Sequence, residues 1–336
     1  MKKSFIVNVN NNTKGVSSQG FGLILAFDNE NEIPYMEIGS ASDLTDIEGV
    51  TVDSKVYKVV QKIFMAKPGP VEVAVFGTVA IDASEVEEAL NTLLDEQKND
   101  WFTLTMTDNS TETLTRISKW VTANDKLLFS TTQDIGLLAT IESANTAIGY
   151  HEEEEDFFAE GLASNMAMAL PGSITAKFEE IQGSLPSNIT LTELNQLHQD
   201  NGFSYIRSKG RNFVSEGKMS DGTYIDITLG SYFIKFRLEE ALFLLAMNNG
   251  KIPYSDKGIA MIVAEVETIM KTATRQGIIL EEDGMGVYKI EALRRNEMLK
   301  NDIANRVYDG VSVTAVVAGA IHDATITINL VLSEEE

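Results

Sequence analysis

The 336-residue chain contains no cysteine. That excludes disulfides, thiolate metal sites and thiol nucleophiles together. It has only three histidines, His151, His198 and His322, spaced too widely for a His-rich metal site. Positive charge is scarce: 27 Lys and Arg stand against 50 Asp and Glu, a net charge of −23. Binding to a phosphate backbone needs clustered Lys and Arg, so nucleic acid is not an expected partner. No apolar run approaches the roughly 18 residues of a membrane-crossing helix, so no membrane partner is expected either. The start, M-K-K-S-F-I-V-N-V-N, carries two lysines, but asparagines break its apolar stretch after three residues. A signal-peptide core is therefore missing, and production in a cytoplasm is expected. No Walker-type phosphate loop and no serine in a nucleophile elbow occur.

What is present is a patterned chain long enough for two or three domains and a large core. Strand and helix signals alternate over the first part. Gly20 to Phe27 reads as a strand, with a loop from Asn29 to Pro34 after it. Ser42 to Leu44 opens a short helix, and Ser54 to Met65 is a clearer one, with Tyr57, Val60, Ile63 and Phe64 on one side. Val71 to Gly77 is a strand, and Ser84 is the expected N-cap of a helix over Glu85 to Gln97. Trp101 to Thr107 (strand), Thr111 to Val121 (helix) and Lys126 to Thr132 (strand) continue the alternation, which indicates an open α/β sheet.

The pattern changes after Ile135. Helices are expected over Phe157 to Leu170 and over Leu191 to Gly202, the latter with Gly202 as its C-cap. Phe203 to Arg207, Asn212 to Gly217 and Thr223 to Gly230 read as antiparallel strands. An apolar helix follows from Tyr232 to Asn248, then a helix over Lys257 to Gln276 capped by Ser255 or Asp256 and ended by Gly277. Ile278 to Ile290 is a hairpin, and final strands run from Gly310 to Leu332.

Both ends of the chain alternate with the period of a half-buried strand. Phe5, Val7 and Val9 alternate with Asn8 and Asn10, and Ile326, Ile328, Leu330 and Leu332 share one face of Ala324 to Leu332. Termini are usually frayed and polar, so strand-forming ends need a sheet to join, in their own domain or in a neighbour.

No feature points to catalysis. Gly20 to Gly22 (G-F-G) leads into a strand rather than a helix, which fails the context of a dinucleotide site. Asp283 to Gly286 has part of a calcium-loop pattern but lacks the other ligands, and a tight turn is the better reading. The acidic run His151 to Asp156 fits a solvated face or a contact with a basic surface better than a metal site. His322 and Asp323 are neighbours, but adjacent strand residues point to opposite faces, so a structural histidine is expected. No catalytic, cofactor-binding or metal-ligating residue is singled out, and no cofactor is expected. One segment departs from the acidic trend: Lys289 to Arg306 holds five basic residues against Glu291, Glu297 and Asp302. It fits either a solvated helix face with pairs such as Arg306 with Asp302, or a docking surface for an acidic partner.

Lys251 to Ile262 (K-I-P-Y-S-D-K-G-I-A-M-I) resembles a segment of the contractile-tail sheath proteins of bacteriophages. Further matches are G-F-G-L-I-L near the start, Phe64 to Gly77, Asn99 to Leu104, Leu170 to Phe178, Gly183 to Thr190, Glu216 to Asp226 and Asn305 to Leu330. Their order and spacing, rather than any single motif, carry the resemblance, which spans the chain. It implies a sheath-like protein of myophage tails or phage-derived contractile particles. The implied fold is α+β or α/β and multi-domain, with exchanged strand arms. Its expected parts are an N-terminal arm and linker (1–19), an outer α/β sheet domain (20–135), a middle region with antiparallel strands (136–230), a C-terminal sheath domain (231–323) and a C-terminal arm (324–336). The resemblance further implies a non-enzymatic subunit that polymerises with itself as stacked six-fold rings around a tail tube protein and contracts to drive the tube through a target envelope. Baseplate and tail terminator proteins are further implied partners, and the virion tail or the particle, assembled in the bacterial host cytoplasm, is the implied location. Phe5 to Val9 and Ala324 to Leu332 would be arms that add strands to neighbouring subunits. Arg294, Arg295 and Lys300 are the candidate tube-facing surface. The alternatives are another tail or baseplate protein and, from a different class, a soluble α/β enzyme or binding protein.

Overall fold

The computed structural model describes residues 21–324. Eight strands form one sheet: β1 (Leu23–Asp28), β2 (Ile33–Ile38), β3 (Val73–Gly77), β4 (Trp101–Met106), β5 (Leu127–Thr132), β6 (Thr146–Tyr150), β7 (Phe203–Ser208) and β8 (Arg211–Val214). Their spatial order is β2-β3-β1-β4-β5-β6-β7-β8. The six inner strands run parallel, and β2 and β8 close the two edges antiparallel. The central strands β4 and β5 are buried at every position. That is the pattern expected of parallel strands covered on both faces, where every side chain meets a helix layer.

Helices α1 (Lys55–Phe64) and α4 (Phe158–Met168) pack against each other on one face. Helices α2 (Ala83–Asp95), α3 (Thr111–Ala123) and α5 (Leu191–Gln199) serve the other, where Leu90, Ile117, Trp120 and Leu197 enclose Leu25, Leu104 and Leu128. α1 buries Val56, Val59, Val60 and Ile63, so the side expected from its period is the core side, with Tyr57 and Phe64 at its margin.

Several local expectations give way to longer-range contacts. Asp82, not Ser84, caps α2, its Oδ1 accepting from Ser84 N and Glu85 N at 2.8 and 3.0 Å. The Asn29 to Pro34 loop is shorter than expected because β2 begins at Ile33. Pro34 is tolerated there because an edge strand leaves one side of its backbone unpaired. β6, a short run without alternation, gives no clear period and is defined by pairing to β5. Thr223 to Gly230 is not a strand: it opens α6 (Ile225–Asn249), where Ile225, Thr228, Leu229, Phe233 and Phe236 are buried at helical spacing. Its β-branched residues mimic a strand only over a short window. At the end of α5 the left-handed residue is Asn201 (φ 60°), and Gly202 follows it in an ordinary conformation. Because β6, β7 and β8 continue the sheet begun by β1, the expected 135/136 boundary falls inside one sheet.

The acidic run finds its basic surface inside the chain. Lys55, Lys58 and Lys62 recur along one side of α1. Lys55 Nζ lies 2.7 Å from Glu154, Lys58 pairs with Glu155, and Lys62 Nζ stands 3.8 Å from Asp156. Below them Glu160, fully buried in the first turn of α4, accepts from Thr131 N and Oγ1 at 2.9 and 2.6 Å. Burial outweighs these donors and pushes its carboxyl up from 4.5 to about 7.

With a folded-state value above the unfolded one, the stability contributed by Glu160 is full below about pH 4.5 and is lost as pH rises through about 7. Glu160→Gln should therefore gain on the wild type by about 2–3 kcal/mol between pH 5 and pH 8, read from urea midpoints. An equal difference at both pH values would exclude this origin.

Candidate assembly surface

α6 and α7 (Asp256–Arg275) form an antiparallel pair beyond the sheet. The first half of α6 is anchored under the starts of the parallel strands. The Tyr232 hydroxyl accepts from Asn145 Nδ2 at 2.6 Å, Lys235 Nζ donates to Asp125 Oδ1 at 3.0 Å, and the Tyr232 ring meets Phe102 edge-on at 5.0 Å. Past Phe236 the cover thins: Leu245 stays buried, but Phe243 is 59 % and Met247 66 % exposed. Apolar side chains lie all round this helix rather than on one stripe, as in helices packed on most of their sides.

α7 ends where expected, with Gly277 at φ 81°, a conformation only glycine takes without cost. A small hairpin follows, β9 (Glu281–Glu282) with β10 (Met285–Gly286), and the expected tight turn lies between them. Next come β11 (Tyr288–Ala292), a 3-10 turn (Arg295–Glu297), a short helix α8 (Lys300–Asn305) and β12 (Val311–Ala315). β11 and β12 make a separate two-stranded antiparallel sheet running from Tyr288↔Ala315 to Ala292↔Val311. Tyr288, Ile290, Val311 and Val313 turn toward the core that Val266 and Met270 of α7 complete.

Hydrogen bonds from Leu293 N to Gly310 O (2.9 Å) and from Val316 N to Val287 O (2.9 Å) set the phase of this ladder. By alternation, the bonded pairs between them are 289/314 and 291/312. The N–H groups of Val311, Val313 and Ala315, and of Tyr288, Ile290 and Ala292, therefore point outward along two edges that pair with no strand among the described residues. Beside the β11 edge runs a groove of about 340 Å³ floored by Ile259, Ala260, Val263 and Ala264 of α7 and closed by Ala292 and Arg294. Two open edges, an apolar slot and a thinly covered helix end thus occupy one part of the molecule.

The basic residues singled out from the sequence belong to the same part, though not on one helix face. Lys289 to Ala292 is strand, because pairing with β12 overrides local helical spacing. Arg294 and Arg295 sit at the 3-10 turn, Lys300 begins α8, and all three are exposed. None of the three forms an ion pair among the described residues, and Arg306 turns left-handed (φ 61°) instead of pairing with Asp302. The six-residue α8 ends at Asn305, so the i,i+4 geometry that a longer helix would supply is absent. The arm residues Phe5, Val7, Val9, Ile326, Ile328, Leu330 and Leu332 lie outside the described residues.

Chemistry of other kinds has little to work with. The strand order reverses between β1 and β4, and open α/β sheets bind ligands in the crevice at such a point. Here the chain's own side chains fill it: Thr107 Oγ1 donates to Asp28 Oδ1 at 2.8 Å and Asn31 Nδ2 to Asp28 Oδ2 at 2.7 Å. Lys126, pushed down to about 7 by burial, gave no signal in the sequence. Its ammonium is taken up by Asn99 Oδ1 and the Trp101 carbonyl, over the Trp101 ring. His322 and Asp323 do not work as a pair. His322 bonds Thr175 while Asp323 faces Lys177. Among the described residues no acid or histidine cluster suits a metal, and no helix is long and apolar enough to cross a membrane.

No family model and no curated protein matches the chain by sequence. Solved structures do match, over nearly its whole length. A chain of the six-fold symmetrised anti-feeding prophage baseplate superposes with a TM-score of 0.74 at 13 % identity, covering 99 % of both chains. The helical sheath of the anti-feeding prophage in its contracted state gives 0.71 at 13 % identity over 98 % of each. The sheath tail protein Lin1278 from Listeria innocua gives 0.58 at 10 % identity, over 90 % of this chain and 96 % of that one. Identities this low speak to fold, and the mixed α/β part of the expectation is found: the architecture is of the contractile tail sheath type.

Proposed function

We propose that the chain is a structural subunit of a contractile sheath. The observation that carries this reading is the two-stranded sheet whose edges pair with no strand among the described residues, beside an apolar groove, in a chain of this fold. Its edges match what the sequence holds at its ends: Phe5, Val7 and Val9, and Ile326, Ile328, Leu330 and Leu332, each alternate with polar residues. In the proposed assembly these segments add strands to the β11–β12 sheets of neighbouring copies. Main-chain hydrogen bonds supply the linkage, and alternate side chains set the register. Subunits linked in this way stack as six-fold rings around a tail tube, with a baseplate and a terminator at the ends. The setting is a phage tail or a phage-derived contractile particle. Contraction is then an exchange between two packings of nearly rigid subunits, the extended one held metastably, and needs no nucleotide hydrolysis.

Arg294, Arg295 and Lys300 are proposed to face the tube. In a chain of net charge −23 an exposed, unpaired basic group is a ready contact for an acidic partner. A sheath-like subunit seated on the baseplate is the second reading, favoured by the match to a baseplate chain.

Deleting residues 1–10 or 324–336 should abolish tubes or stacked rings in negative-stain micrographs while leaving monomers with unchanged circular dichroism. Tubes formed by either truncated chain would rule out arm exchange. Val313→Pro removes an outward edge donor but no β11–β12 ladder bond. It should cost the monomer about 1–2 kcal/mol and still prevent polymerisation. Polymers of wild-type stability from this variant would show that the β12 edge receives no strand.

A further inference from the structure

Three of the stretches that carry the sequence resemblance, far apart in the chain, meet at one place in the fold. They are Leu170 to Phe178, Glu216 to Asp226 and the segment leading to Ala324, and His322 sits at their junction. Its side chain is only 9 % exposed although Ile321 before it is 88 % exposed. Nε2 lies 2.9 Å from Thr175 Oγ1, and Nδ1 lies 3.4 Å from Glu216 Oε1. The ring stands perpendicular to Tyr224 at 4.9 Å and edge-on to Phe178 at 6.3 Å. Lys177 closes the group, its Nζ 3.6 Å from Glu216 Oε2 and 3.5 Å from Asp323 Oδ2.

The seat is built to hold its shape. Gly172 (φ 86°) lies against the turn after α7, where a Cβ would come within 2.7 Å of Gln276 O. Phe178 holds φ 75°, a conformation that bulky residues rarely adopt. Hydrogen bonds from Phe178 N to Val214 O and from Val214 N to Glu179 O, both 2.9 Å, fix it along the β8 edge. Tyr224 is the residue immediately before α6.

The other end of the described chain is fixed to the same helix. Phe21 stacks on Phe102 at 5.1 Å and meets Phe236 of α6 edge-on at 6.5 Å. The two attachment points, Tyr224 and Phe236, lie about 18 Å apart along α6 at 1.5 Å per residue.

We infer that the His322 cluster is a clasp that fixes the exit of the C-terminal segment against the start of α6. Phe21 does the same for the N-terminal segment further along that helix. A pull on the C-terminal segment then passes through the clasp into the start of α6 and the β8 edge. A pull on the N-terminal segment passes into α6 and Phe102 of β4. The clasp is a property of the single subunit; the pull rests on the sheath reading.

Because the chain has no cysteine, Ile321→Cys offers a single exposed site for a nitroxide label. In full-length monomers the label's motion should be restrained, and it should speed up at least threefold when His322→Ala or Thr175→Val is added. The melting temperature should fall by only about 2–4 °C, the shift expected for a loss of about 1 kcal/mol in a large domain. Thr175→Val keeps the test available if His322→Ala fails to fold. Spectra that are the same with and without these changes would overturn the clasp, even if the wild type polymerises. A freed label in a protein that never polymerises would sustain the clasp and remove the sheath reading. Where polymers form, His322→Ala should lower their dissociation temperature; an unchanged value would overturn the transmission of load to α6.

Discussion

A β-strand carries hydrogen-bonding groups along both sides, and among the described residues β11 and β12 each use only one side. Water satisfies such groups at an isolated edge, but a two-stranded sheet is marginal alone and is a standing template for another strand. Proteins usually cover, twist or charge an edge of this kind. Here α7 covers one face of the sheet, and both edges are unpaired among the described residues, with an apolar groove beside one of them. The thinly covered end of α6 follows the same logic, because Phe243 and Met247 are largely exposed there. The C-terminal third makes sense as part of a larger sheet and a larger core.

The eight-stranded sheet works as the stiff body that carries this surface. Its parallel strands are covered on both faces, and its ligand-binding crevice is filled by Asp28, Asn31 and Thr107. Its acidic loop is partly neutralised by the lysines of α1, which meet Glu154, Glu155 and Asp156. Local neutralisation matters for a chain at −23, because copies packed side by side would otherwise repel through their loops. The exposed pairs contribute little stability each, so their weight lies in charge balance and loop placement.

Much of the alternation in the first half was legible because each helix and strand there carries its own period and cap. α1, α3, β1, β4 and β5 fall within a few residues of their expected spans. Losses occurred where a local window holds two meanings. Ile225 to Leu229 alternates like a strand and spaces like a helix, and only the burial of Phe233 and Phe236 beyond it decides for the helix. β6 is five residues with no alternation, so its identity comes from its neighbours. The basic segment was visible as composition, but its division into strand, turn and short helix depends on pairing with β12, some twenty residues away.

By itself the sequence determined the classes of chemistry in reach. Without cysteine, with three scattered histidines and with few cations, it excluded thiol chemistry and disfavoured metal and nucleic-acid sites. Its alternating ends called for a sheet to join. These are properties of residue type and local period, which do not depend on where the chain goes next. Tertiary structure alone decided which edges stay open, which lysines meet the acidic run, and that Thr175, Glu216 and Tyr224 converge on His322. Each of those outcomes is a contact between distant segments. Such contacts are set by the order of strands in the sheet and by the path of α6 beneath it, and no local pattern encodes either.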